Sequence, residues 1–103
     1  MIVNELSKAT FTARPISEAG AEFTPTNARY RLDDKAATTE LIAWTALTAS
    51  TAMEILIPAP THAMVDANLN LETKVLTVET DFGTDNAHVE EFEYQIQNMQ
   101  FVS

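Results

Sequence analysis

The feature that most constrains the fold of this chain is a strict alternation of apolar and polar side chains near its C-terminus. In the run 89–97, Phe92, Tyr94 and Ile96 occupy every second position, with glutamate or glutamine between them. Successive side chains of a β-strand point to opposite faces, so the run predicts a strand with one dry and one wet face. A pairing shift of one residue would bury the glutamates, and this makes the register strongly determined.

Further segments repeat this period or are rich in β-branched residues. They cover residues 9–13, 28–33, 39–45, 53–57 and 75–81. The segments between them hold turn-forming residues such as Gly20, Pro25 and Gly83. Short strands at such spacing predict an all-β, antiparallel β-sandwich or barrel, which we expect to contain about seven strands. The segment from His62 to Leu71 allows one short helical turn.

The alternation also selects the residues of the expected core. The predicted core residues are Phe11, Tyr30, Leu32, Trp44, Ile55, Ile57, Leu76, Val78, Phe92, Tyr94 and Ile96. If Trp44 is buried there, its replacement by alanine should cost roughly 3–5 kcal/mol. The alternative for the aromatic residues is an exposed strip that binds sugar.

Length and charge restrict the function further. With 103 residues the chain has room for one domain, 1–103, with one core. A net charge of −9 with six basic residues leaves no basic patch for a nucleic acid, and it disfavours an anionic membrane surface. The absence of cysteine excludes disulfides and thiolate sites and suits a reducing cytosol. We find neither a signal peptide nor an apolar run long enough for a membrane span.

Candidate catalytic and metal-binding groups do not form recognisable sites. His62 and His88 have no partner at metal-ligand spacing, and we expect both to be exposed in loops or at strand ends. Asp81, Asp85 and Asn86 could supply oxygen ligands for calcium, but turn formation explains them and also Asp33-Asp34. No nucleophile with an adjacent base can be named, so we predict no enzyme activity and no cofactor.

The order of several strand and turn segments is distinctive, namely 9–14, 18–26, 28–34, 42–45, 47–48 and 76–83. Together they resemble short structural proteins of tailed bacteriophages and prophages that have immunoglobulin-like or fibronectin-type-III-like folds. It implies a virion component, such as a capsid decoration, neck or tail accessory protein, made in the host cytoplasm. It also implies partners among the other virion proteins and, as a further option, copies of the chain itself.

Exposed strand edges and the chain ends are the expected docking elements, because a neighbour can complete their unpaired N–H and C=O groups. Residues 1–6 and 100–103 are the predicted docking arms. Their candidate contact residues are Met1, Ile2, Val3, Leu6 and Phe101. The alternative function is a carbohydrate-binding or cell-surface-binding β-sandwich.

Overall fold

The predicted strands form in a computed structural model that describes residues 2–16, 19–36, 39–65, 69–85 and 87–99. Within these residues there are seven strands and one turn of 3₁₀ helix. The strands are β1 (Ile2–Asn4), β2 (Ala9–Ala13), β3 (Ala28–Asp34), β4 (Thr39–Leu47), β5 (Met53–Ile57), β6 (Leu71–Thr80) and β7 (His88–Gln97). The all-β prediction is therefore confirmed.

The helical turn lies earlier than we predicted. It covers Ala59–His62, where Pro60 occupies one of the first helical positions, as is common at helix starts. Within the predicted segment 62–71, the described residues instead bend towards β6, which begins at Leu71. Residues 66–68 lie outside the described part of the chain.

The strands form two sheets of unequal size. One has five strands in the order β1-β7-β6-β3-β4, and the other has two, β2 and β5. The chain crosses between the sheets after β1, β2, β4 and β5. The pairs β2–β5 and β3–β6–β7 have the pairing of an immunoglobulin-type sandwich.

One strand pair departs from the predicted antiparallel arrangement. β1 runs parallel to β7, with Val3 opposite Ile96. The backbone N–H of Glu5 donates to Gln97, after which Leu6 adopts a φ of +57° and the chain turns towards β2. The predicted docking arm 1–6 is therefore partly a strand of its own sheet, and deleting it would remove that strand.

The core lies between the sheets, on the inner faces that the alternation identified. Leu32, Ile55, Ile57, Leu76, Val78, Tyr94 and Ile96 are buried there. Phe11, Tyr30 and Phe92 are partly buried and pack against this cluster. Phe11 contacts Tyr94 with ring centroids 5.0 Å apart, so that β2 lies over β7.

Candidate functional site

A groove runs along the side of the sandwich where the small sheet fails to cover the large one. Five strands span about 19 Å and two span about 5 Å, because neighbouring strands lie about 4.8 Å apart. The uncovered inner face of β4 and the outer edge of β5 are the walls of this groove, which has a volume of about 470 Å³. We call it the β4–β5 groove. It is lined by Tyr30, residues 45–48, Ser50 and residues 52–56.

The groove combines apolar side chains with unpaired backbone. Tyr30 and Leu47 are half-buried, while Met53 and Ile55 continue into the core beneath them. Among the described strands, β5 pairs only with β2, so its other edge has no strand partner. Edge backbone groups of this kind can bind an added strand, and apolar pockets beside them can receive its alternate side chains.

The opposite wall, β4, is an irregular edge strand. Its register against β3 shifts twice, between Tyr30 and Leu32 and again between Leu32 and Asp33. Around the first shift the Thr45 hydroxyl donates to the Ala43 carbonyl at 2.9 Å. Bulges of this kind blunt an edge against indiscriminate pairing. The regular edge offered to a partner is therefore that of β5.

Trp44 lies on the outer face of β4 and not in the core, which corrects our prediction. It is 37% exposed. The Arg29 guanidinium lies 4.2 Å from the Trp44 ring and 4.3 Å from the Phe82 ring, and it pairs with Glu79 at 2.5 Å. The first register shift of β4 lies beside Trp44, and an alternation read through a bulge assigns the following residues to the wrong face.

Among the residues that the structure describes, Tyr30 and Trp44 do not line a common groove. Tyr30 is the aromatic member of the β4–β5 groove lining, whereas Trp44 lies on the outer face with Arg29 over its ring. The sugar-binding alternative rests on exposed aromatics along a groove, so this geometry does not favour it. It stays a prediction.

A second notable region is a buried polar cluster at the end of the sandwich away from the groove. The Lys74 ammonium is fully buried and contacts Asp34 at 2.7 Å and Glu72 at 2.9 Å. Both carboxylates are also buried. The interpretation of Asp34 as a turn residue is wrong, because Asp34 belongs to β3 and faces inwards.

His62 lies beside this cluster and is fully buried, although we predicted it to be exposed. Its Nδ1 is 2.5 Å from the Ser7 carbonyl, which can only accept, so Nδ1 carries the proton. Nε2 is therefore the acceptor for the Tyr94 hydroxyl at 2.7 Å. Burial lowers the pKa of His62. The hydrogen bond to Ser7 raises this pKa and the positive charge of the Lys74 ammonium lowers it, but both effects are smaller than that of burial.

The remaining candidate groups from the sequence lie at the surface or in a turn. His88 is exposed beside Glu90, as expected. Asp81 has a φ of +51° and its carbonyl accepts the Thr84 hydroxyl at 2.7 Å, as expected in a turn. Its carboxylate also accepts the backbone N–H of Thr26, 55 positions away in the chain, at 2.6 Å. Asn86 lies outside the described residues. In the described part of the chain no cluster of His, Cys, Asp and Glu could hold a metal ion, and no helix could cross a membrane.

Of the predicted docking residues at the chain ends, the fold exposes some and packs another against the core. Ile2 and Leu6 are 58% and 59% exposed and remain available for contact. Val3 packs against the core and is not available. Met1 and Phe101 lie outside the described residues.

Sequence reasoning missed both the groove and the charged cluster. The signal for the cluster was present, because extending the alternation back from Leu76 places Lys74 and Glu72 on the same dry face. The groove had no comparable signal, since it depends on how many strands each sheet contains.

Comparisons with known proteins found no matching family model, no matching curated protein and no matching solved structure.

Proposed function

We propose that this protein is a non-enzymatic structural component of a tailed phage particle, which binds an extended segment of another virion protein in the β4–β5 groove. The capsid surface, the neck and the tail are the candidate locations. The resemblance of the strand and turn segments supports the virion setting. The observation that carries the binding mode is the edge of β5 that pairs with no described strand, beside the uncovered inner face that bears Tyr30 and Leu47.

An extended segment fits the chemistry of this groove. Its backbone would pair with β5 and make that sheet three-stranded, and every second side chain would cover Tyr30, Leu47 or Met53. Pairing through the backbone gives affinity, while the side chains that line the groove select those of the bound segment. A compact ligand would leave the β5 edge groups without partners.

The charge of the chain favours a different protein over a second copy. Each copy carries −9, and the one charged residue of the described groove lining is the carboxylate Glu54. Like charges oppose association, whereas a neutral or basic segment would gain from steering. We therefore assign the groove to a neutral or basic segment of a neighbouring virion protein.

The test is a binding experiment with peptides of known sequence. Overlapping peptides that tile the proteins encoded beside this gene, together with peptides of the chain itself, are screened against the purified protein. Binding should slow hydrogen exchange of the amides in β5. Thr45→Trp, which fills the groove, should weaken binding at least tenfold.

The matched control is Thr10→Trp. Thr10 is also an exposed strand threonine, but it lies on β2 outside the groove lining. Binding should survive this change. Binding that is equally strong in both variants would reject the groove, and selection of the chain's own peptides alone would reject the heterologous partner. Absence of the protein from purified particles, measured by mass spectrometry, would reject the virion setting.

A further inference from the structure

The buried polar cluster holds a nucleophile next to an electrophile. Asp34 and Lys74 stand directly opposite each other on the antiparallel strands β3 and β6. Their side chains share the inner face, and Lys74 Nζ lies 2.7 Å from Asp34 Oδ1. An amine and a carboxyl group held in this way are the two reactants of an amide bond.

The third member of the cluster is positioned to move protons. Glu72 lies two residues before Lys74 on the same face of β6, and its Oε1 is 2.9 Å from Lys74 Nζ. The same oxygen accepts the backbone N–H of Val65 at 2.8 Å, which holds the carboxylate in place. A carboxylate in hydrogen-bond reach of the reacting nitrogen is the geometry of general acid–base catalysis.

Stability alone does not explain why the sheet carries these charges. Burying each ion costs several kcal/mol, and apolar residues of similar volume are often neutral or stabilising in place of a buried ion pair. The cluster brings two carboxylates to one ammonium. Condensation of Lys74 with one carboxylate would remove two of the three charges from the interior.

We propose that Lys74 and Asp34 condense into an intramolecular amide bond, with Glu72 as the proton carrier. One proton passes from the Lys74 ammonium to the Asp34 carboxylate, which leaves a neutral amine and a carboxylic acid. The Nζ lone pair then forms a bond to Asp34 Cγ. Glu72 takes the second proton from Nζ and gives it to the departing Asp34 oxygen, whose bond to Cγ breaks. The products are the amide and one water molecule, Glu72 returns to its starting state, and no oxidant or reductant is needed.

The protein supplies the two conditions that this reaction lacks in water. Holding two reactants about 3–3.5 Å apart in a fixed orientation turns a reaction between two molecules into a step within one molecule, and this lowers the entropic part of the barrier. The dry interior also removes the solvent that stabilises the charged starting groups. The exposed pair Lys35–Glu93 has a similar separation of 2.9 Å but is more than half solvated on the lysine side, and it should not react.

The resulting bond would tie together the middle of the large sheet. β3 and β6 are adjacent inner strands of that sheet, and the bonded residues are 40 positions apart in the chain. A covalent link across so long a loop restricts the unfolded chain as a disulfide does. This chain has no cysteine for that purpose.

Mass spectrometry of the intact, denatured wild-type chain tests the proposal directly. The mass should be lower than that of the sequence by one water molecule. Trypsin should fail to cleave after Lys74, and fragmentation should find one branched peptide that contains both Asp34 and Lys74. This mapping excludes an aspartyl succinimide, which also loses water but joins no second peptide. An unreduced mass in the folded wild-type protein would overturn the proposal.

Variants assign the roles. Lys74→Met and Glu72→Gln should retain the full mass, whereas the surface control Lys35→Arg should still lose one water. Asp34→Asn should give the same branched product as the wild type by releasing ammonia. Circular dichroism verifies folding of each variant, and the wild-type result stands even if one of them fails to fold. Condensation that persists in folded Glu72→Gln would overturn the role of Glu72.

Discussion

The protonation of His62 should make the stability of this protein depend on pH. In the folded state His62 is neutral, with Nδ1–H bonded to Ser7 and Nε2 accepting from Tyr94. Its pKa is lowered from the usual 6.5 chiefly by burial, which the hydrogen bond to Ser7 opposes. The Lys74 ammonium lowers it further only while Lys74 is uncondensed, so the lowering by burial remains in either form of the chain. In the unfolded chain the histidine regains its usual pKa. Between the two pKa values the unfolded chain therefore binds more protons, and stability falls as the pH falls below about 6.5.

The size of the effect has an upper limit. A proton taken up only by the unfolded chain costs about 1.4 kcal/mol per pH unit below the unfolded pKa. From pH 7 to pH 5 the loss can reach about 2 kcal/mol if His62 remains neutral in the folded state. For a domain of this size each kcal/mol lowers Tm by roughly 4–8 °C, so the change is readily measured.

The assay is urea unfolding of the wild type, His62→Gln and His88→Gln at several pH values between 7 and 5. At pH 7, His62→Gln should be less stable than the wild type. Between pH 7 and pH 5, however, its free energy of unfolding should decrease less than that of the wild type. His88→Gln is the matched control, since His88 is exposed, and it should follow the wild-type slope. Carboxylates contribute equally to all three slopes. If the free energies of unfolding of the wild type and of His62→Gln changed with pH in parallel, the conclusion that His62 is neutral in the folded state would be refuted.

Three further predictions concern stability and are measured by urea unfolding. Trp44→Ala should cost about 1–2 kcal/mol, because the ring lies on the outer face, and a loss of 3–5 kcal/mol would place it in the core. Tyr94→Phe should cost about 1–3 kcal/mol, since it leaves the buried His62 acceptor without its donor; no loss would contradict that hydrogen bond. Leu76→Ala should cost about 2–5 kcal/mol and the half-exposed Leu56→Ala less than about 1 kcal/mol, and equal losses would refute the assignment of the inner faces.

The strand content and the inner faces of most strands could be predicted because they depend on local periodicity. The alternation in β7 and the spacing of the turns are properties of neighbouring residues, and burial of one sheet face requires them. The same logic failed at Trp44, where a register shift in β4 changes the face, because a bulge forms between strands and leaves no mark on the period. In β6 the alternation does extend to the buried charges, because two further steps back from Leu76 reach Lys74 and Glu72.

By itself, the sequence determined that the chain forms strands with one dry face, since its apolar residues can leave water together only at alternate positions. Tertiary structure alone decided how those strands are divided, five against two, and so created the β4–β5 groove. It also decided that Asp34, Glu72 and Lys74 meet in the interior, because strands far apart in sequence become neighbours only through their pairing. Both candidate sites depend on this long-range pairing, and no local pattern of residues encodes it.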